Sequence, residues 1–114
     1  MPASSLDLNK IDHPIIKLAI EAMNGRDKKR WYALFSDSPT FTDDGNSYDF
    51  ADWCEKELFG ASVAYLVSID KVEDRGLTIY GRFHSDQWGD FKTFLQFHVD
   101  KGKITKMAVG QANY

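Results

Sequence analysis

The stretch from Leu77 to Val109 constrains the fold most, because its three runs alternate between apolar and polar residues. Alternation is plainest in the middle run, whose odd-numbered residues form one largely apolar face: Phe91, Thr93, Leu95, Phe97 and Val99. Side chains on a strand switch faces at every residue, so this pattern predicts a sheet with one face committed to a core. The preceding residues must then supply helices that cover that face.

Composition narrows the class of protein. The 114 residues are 43% apolar and 14% aromatic, which suits one domain with a proper core. The net charge of −3 comes from interspersed acids and bases, so no basic surface for nucleic acid is predicted. A single cysteine, Cys54, and the lack of any long apolar run indicate a cytoplasmic protein without a membrane partner. We expect a flexible arm over residues 1–10 and one domain over residues 11–114.

Three helices are predicted before the main strands. Their expected N-caps are Asp12, Asp27 and either Ser47 or Asp49. Gly25 and Gly60 are expected to end the first and third helices, because glycine tolerates the left-handed backbone of a C-cap. The third helix carries an apolar stripe that includes Cys54, which is expected to be a small buried filler.

Turn residues predict the pairing of the strands. Asp74-Arg75-Gly76 fits a three-residue hairpin loop, which places Glu73 opposite Leu77. This register puts Tyr65 on the apolar face and Leu66 on the opposite face. A second turn at residues 100–103 places Val99 opposite Ile104, and a bulge is expected after Ile104.

Three helices followed by a long antiparallel meander resemble the nuclear transport factor two-like superfamily, also called SnoaL-like. The segments that carry the resemblance are EAMNGRDKKRWYALFSDSPTFTDDG and DKGKITKM, within a likeness that covers roughly residues 12–111. The resemblance implies an α+β, cystatin-like fold in which a curved, mostly antiparallel sheet wraps into a cone and three N-terminal helices close an apolar pocket. It implies no single activity, because this fold hosts isomerases, cyclases, hydratases, hydrolases and non-catalytic binders.

The implied pocket would be aromatic and apolar. Its predicted lining is Phe41, Trp53, Tyr65, Phe83, Thr93, Leu95 and Phe97. Such a lining suits a flat or lipid-like hydrophobic small molecule, and we predict a small-molecule binding protein. No cofactor or metal is expected, because neither His84 nor His98 has further ligands at a recognisable spacing. Alternatively, the bulky side chains fill the cone and leave a non-catalytic interaction domain.

Asp43 is the candidate for catalysis. Ketosteroid isomerases resemble this chain around TFTDDG, and their general base would fall on Asp43. Their two oxyanion donors, however, would fall on Ala19 and Leu95, which cannot donate a hydrogen bond. This argues against a steroid isomerase of that type and leaves open an isomerase, cyclase or hydrolase with Asp43 as acid/base. The other interpretation is that residues 43–46 are simply turn residues.

The face of the sheet away from the core carries apolar side chains among polar ones. The predicted interface consists of Leu66, Tyr80, Arg82, Phe94 and Met107. An exposed apolar patch marks an interface, and sheet-to-sheet homodimers are common in the resembled superfamily, so a twofold homodimer is predicted. On this face Arg82 is also expected to form a cross-strand ion pair with Asp70.

Overall fold

The computed structural model of the protein describes residues 6–114. It confirms the predicted α+β fold, in which three helices pack on a curved, unclosed sheet of six strands. The helices are α1 (Pro14–Asn24), α2 (Lys28–Ala33) and α3 (Phe50–Glu57). The strands are β1 (Phe35–Asp43), β2 (Asn46–Ser47), β3 (Ala64–Glu73), β4 (Thr78–Ser85), β5 (Gly89–Asp100) and β6 (Lys103–Gln111).

The strand order is β2-β1-β6-β5-β4-β3, and only the β1–β6 pair is parallel. The first long strand therefore lies beside the last, with Phe41 opposite Met107. This pairing is irregular between Phe35 and Thr40, where Pro39 lacks a backbone N–H for a regular ladder. The sheet is thus mostly antiparallel, as predicted.

The helix ends follow local capping chemistry. The carboxylates of Asp27 and Asp49 accept hydrogen bonds from the backbone N–H groups of Arg30 and Asp52, at 3.2 and 2.9 Å. These two predicted caps are confirmed. The N-cap of α1 is His13 rather than Asp12, and no side chain caps this end.

The predicted flexible arm falls partly outside the described residues, since residues 1–5 are not among them. The other half forms a short 3₁₀ helix, Leu8–Lys10, and both Leu6 and Leu8 pack against the core. Lys10 Nζ donates a hydrogen bond to the Ile69 carbonyl at 2.8 Å. Residues 6–10 are held against the core because burial of the Leu6 and Leu8 side chains removes apolar surface from water, which lowers the free energy.

The core lies between the helices and the concave face of the sheet. Its centre is an aromatic cluster in which the ring centroids of Phe35 and Phe50 are 4.4 Å apart and those of Phe41 and Trp53 are 4.5 Å apart. Trp31 is fully buried beside them. Tilted ring pairs of this kind add to the stabilisation that their burial provides.

The register of β3 and β4 agrees with the predicted one in the middle of the strands, where Ser68 lies opposite Arg82 and Ile69 opposite Gly81, but differs on either side. The hairpin closes with Glu73 opposite Thr78, and two register shifts along β3 leave Val67 and Asp70 without a partner on β4. Each extra residue reverses the in–out alternation of the strand. Leu66 consequently lies opposite Phe83 and is completely buried, so its predicted place on the outer surface was wrong.

Tyr65, the residue before Leu66, is turned the other way. It lies opposite His84, with ring centroids 5.1 Å apart, on the convex face. Its predicted place in the pocket was wrong for the same reason. The irregular register requires Gly81, because a Cβ there would come within 2.0 Å of the Ser68 carbonyl oxygen.

The last two strands pair as the turn chemistry predicted. Val99 lies opposite Ile104, and the register shifts immediately afterwards, with Thr105 as the extra residue. The shift brings Met107 opposite Phe97 on the core face, where only 1% of its surface is exposed. The prediction that Met107 belongs to the outer interface was therefore wrong, because the bulge turns it inward.

Among residues 6–114, no helix is long and apolar enough to cross a membrane. The cytoplasmic location stays a prediction.

Candidate ligand pocket

A cavity of about 290 Å³ opens between the helices and the concave face of the sheet. Its apolar lining consists of Met23, Trp53, Leu58, Phe83, Trp88, Phe91, Leu95, Met107 and Val109. Its polar lining consists of Asp43, Asp44, Glu57, Ser85, Thr93 and Gln111, with Gly110 completing the wall. This volume is near the lower end of the range for small-molecule sites. The aromatic side chains therefore do not fill the interior completely.

Sequence reasoning found part of this lining. Of the predicted residues, Trp53, Phe83, Thr93 and Leu95 face the cavity. Phe41 and Phe97 are instead buried in the adjacent core. The lining residues that were missed include Met23, Trp88 and Met107. The predicted bulge after Ile104 was the signal that could have placed Met107 correctly.

Asp43 stands at the end of β1, where that strand meets α3. Its Oδ2 accepts a hydrogen bond from Trp53 Nε1 at 3.2 Å, which fixes the orientation of the carboxylate. Burial raises the pKa of Asp43; the Trp53 hydrogen bond partly offsets this, and the neighbouring charge of Asp44 adds to it. A half-buried carboxylate in an apolar cavity can bind a polar group or carry a proton.

The adjacent Asp44 has a different function. It takes a φ of 50° ahead of Gly45, and its Oδ1 accepts a hydrogen bond from the Gln111 N–H at 3.0 Å. Asp44 thus forms the turn, which leaves Asp43 to face the cavity. The interpretation of residues 43–46 as turn residues applies to Asp44 and not to Asp43.

The other buried polar side chains of the lining are held by internal hydrogen bonds. Thr93 Oγ1 donates to the Gly110 carbonyl at 2.7 Å. Ser85 Oγ accepts hydrogen bonds from the N–H groups of Gln87 and Trp88, both at 3.2 Å, and so fixes the turn that carries Trp88. Leu95 lies at a position where a ketosteroid isomerase would have an oxyanion donor. Its apolar side chain faces the cavity and cannot donate a hydrogen bond.

Comparison with known proteins identifies the fold. No family model matches the chain, and no curated protein does either. Solved structures do match, beginning with a protein from Sphaerobacter thermophilus with a TM-score of 0.68 and 19% identity over 88% of this chain and 94% of that one. An NTF2-like protein of unknown function from Cytophaga hutchinsonii has a TM-score of 0.66 and 16% identity over 86% and 87% of the two chains. A computationally designed 17-OHP binder has a TM-score of 0.67 and 13% identity over 87% and 88%. The chain has the nuclear transport factor two-like, or SnoaL-like, fold.

The convex face of this nuclear transport factor two-like sheet holds the rest of the predicted interface. Arg82 is exposed, and Tyr80 and Phe94 are half-buried. The ring of Tyr114 packs edge-on against Tyr80, with centroids 5.8 Å apart, and Lys92 Nζ lies 4.7 Å from the centroid of the Tyr114 ring. The final residues of the chain therefore cover part of this face.

The predicted ion pair between Arg82 and Asp70 does not form within the described residues. Asp70 is an extra residue of β3, and its carboxylate accepts hydrogen bonds from the Tyr114 hydroxyl and from Ser68 Oγ. The hydrogen bond from Tyr114 is the main reason that the pKa of Asp70 is lowered. The bulge at Asp70, which no local pattern predicted, thus changed the partner of its carboxylate.

His84 lies on the convex face next to the β4–β5 turn. Its Nδ1 is 2.5 Å from an Asp90 carboxylate oxygen, and its Nε2 is 2.8 Å from one of Asp86. The hydrogen bonds to Asp90 and Asp86 raise the pKa of His84. Both ring nitrogens are thereby engaged, and residues 6–114 contain no cluster of three or more side chains suited to hold a metal.

Proposed function

We propose that this protein binds a hydrophobic small molecule inside its cone, with Asp43 at the polar end of the site. The observation that carries the proposal is the cavity of about 290 Å³, whose apolar and aromatic walls enclose one oriented, half-buried carboxylate. Apolar walls with few fixed polar groups are characteristic of small-molecule sites. A designed protein of the same fold is a 17-OHP binder, which supports the proposal.

Binding is favoured over strong catalysis because the Ser85 hydroxyl, which only accepts hydrogen bonds within the protein, is the one buried side-chain donor left free in the described lining. Trp53 Nε1 and the Thr93 hydroxyl already donate to Asp43 and to the Gly110 carbonyl. Preorganised donors usually supply the largest stabilisation of a developing oxyanion. A ligand would find hydrophobic contact and an acceptor here, but little to hold a negative charge.

The test uses N-phenyl-1-naphthylamine, a neutral probe that fluoresces in apolar surroundings. We expect saturable binding, and we expect Leu95→Trp to abolish it because the larger ring fills the cavity. The control is Gln96→Trp, which makes the same addition on the exposed side of the same strand. Circular dichroism checks folding, and Phe83→Trp replaces Leu95→Trp if that variant unfolds. Equal binding by the cavity-filling and control variants would overturn the proposal.

A second candidate function is proton transfer by Asp43, favoured by the raised pKa of this buried carboxyl. The carboxylate would take a proton from the carbon beside a ketone, and the resulting enolate would recover a proton from solvent. 2-Tetralone in deuterated water tests this, because NMR follows deuterium entering that carbon. Asp43→Asn should abolish the catalysed exchange. Exchange that is equal in wild type and in Asp43→Asn would exclude this role.

We also propose that two copies of the chain associate through the convex face. The half-buried rings of Tyr65, Tyr80 and Phe94 lie among polar residues there, an arrangement typical of interfaces. Sedimentation should show a dimer at micromolar concentration, and Phe94→Arg should dissociate it. Val63→Arg, at an exposed apolar residue outside the strands, is the control. A monomeric wild type would contradict the proposal.

A further inference from the structure

The lining of the cavity has one sign of charge. It includes the carboxylates of Asp43, Asp44 and Glu57, and no lysine, arginine or histidine of residues 6–114 lines it. Within residues 6–114, none of these three carboxylates forms an ion pair. The site would therefore repel an organic anion, because no opposite charge among the described residues pairs with these carboxylates.

Two further features of the cavity favour positive charge. Its walls include the aromatic rings of Trp53, Phe83, Trp88 and Phe91, whose faces attract cations. Trp88 is 67% exposed, so its ring is available to a ligand. Glu57 is the last residue of α3, and the C-terminal end of a helix carries a partial negative charge.

We infer that the ligand of this cavity is a hydrophobic organic cation, such as an amine on an aromatic or alicyclic body, whose ammonium group pairs with Asp43. This rests on the proposed binding function and names the chemical class of the ligand. The apolar body would occupy the space beside Leu95 and Met107, both of which face the cavity.

The physical reason is the cost of leaving a carboxylate half-buried without an opposite charge. The Trp53 indole donates a hydrogen bond to one carboxylate oxygen of Asp43 but carries no positive charge. An ammonium group would supply both a hydrogen bond and an opposite charge, and charge-assisted hydrogen bonds are the stronger class. A neutral alcohol of the same shape would donate a hydrogen bond to the carboxylate but would bring no opposite charge.

The inference predicts that the affinity of the cavity for an amine depends on pH. Burial raises the pKa of Asp43, and a bound ammonium group would favour its ionised form. Affinity for an amine should therefore be greatest between this raised pKa and the pKa of the amine itself, and it should decrease as the pH falls through the pKa of Asp43. Affinity for a neutral ligand of the same shape should change much less.

The test compares 2-(aminomethyl)naphthalene, 2-(hydroxymethyl)naphthalene and 2-naphthoate by calorimetry at neutral pH. We expect the amine to bind roughly tenfold more tightly than the alcohol, a difference of about 1.4 kcal/mol, because both can donate to the carboxylate but only the amine brings an opposite charge. The naphthoate should bind most weakly. Asp43→Asn should remove the tenfold preference while leaving the binding of the alcohol nearly unchanged.

Asp37→Asn is the matched control, since Asp37 is an exposed residue of the same strand and does not line the cavity. Equal binding of amine and alcohol would overturn the inference, as would equal losses in Asp43→Asn and Asp37→Asn. Absence of amine binding would overturn it as well. The proposed binding function is decided separately, by whether the neutral probe binds and whether Leu95→Trp prevents it.

Discussion

The two faces of one sheet have different properties although adjacent residues of the same strands build them. The concave face is apolar, packs against the helices and contains the cavity with its carboxylates. The convex face carries polar and charged groups, including Arg82 and the hydrogen-bonded His84, and Tyr114 lies across part of it. A few register shifts decide which residues lie on each face, because side chains beyond an extra residue in a strand point to the opposite face.

The largest difference between the faces is expected at two neighbouring residues of β3. Leu66→Ala removes a fully buried side chain and should cost about 3 kcal/mol of the free energy of unfolding. Tyr65→Ala removes a half-buried ring from the convex face and should cost about 1 kcal/mol. Urea denaturation measures both. Equal costs, or a larger cost at Tyr65, would mean that the β3 register described here is incorrect.

The second prediction concerns the irregular register itself. Gly81→Ala places a Cβ 2.0 Å from the Ser68 backbone oxygen, so the strands must separate, and we expect a loss of about 2 kcal/mol. Gly110→Ala is the comparison, because its Cβ would meet the ends of two side chains, Asp44 Oδ1 at 2.6 Å and the Phe94 ring at 2.7 Å, rather than backbone, and side-chain ends can shift more easily. Its cost should be about 1 kcal/mol. A Gly81→Ala variant as stable as wild type would argue against the bulge.

The smallest effect is expected on the convex face, at the exposed cluster of His84, Asp86 and Asp90. Both carboxylates raise the pKa of His84 above its ordinary 6.5, so the folded state binds its proton more tightly than the unfolded state. The contribution to stability is complete below pH 6.5 and is lost as the pH rises through the raised pKa.

The measurement is the melting temperature of wild type and His84→Gln across this pH range. Wild type should exceed the variant on the acid side, and the two should converge on the alkaline side. His98→Gln, at an exposed histidine of β5, is the control. A constant difference between wild type and His84→Gln at all pH values would show that the cluster does not titrate as described.

Local sequence signals predicted much of this fold. The Asp27 and Asp49 caps, the pairing of Val99 with Ile104 and the bulge after it follow from residues close together in the chain. Leu66 and Tyr65 were misplaced because the extra residues of β3 were not predicted, whereas Met107 was misplaced although the bulge before it was predicted.

By itself, the sequence determined the α+β class, the apolar character of the concave face and the choice of Asp43, beside a turn, as the candidate acid/base. Only the tertiary structure decided that Leu66 and Met107 point inward, that Tyr65 points outward, and that the carboxylate of Asp43 meets the indole of Trp53. The physical reason is that alternation fixes faces only within an uninterrupted strand. A bulge in β3 is set by the close approach of Gly81 to Ser68, a contact between strands that no local pattern records.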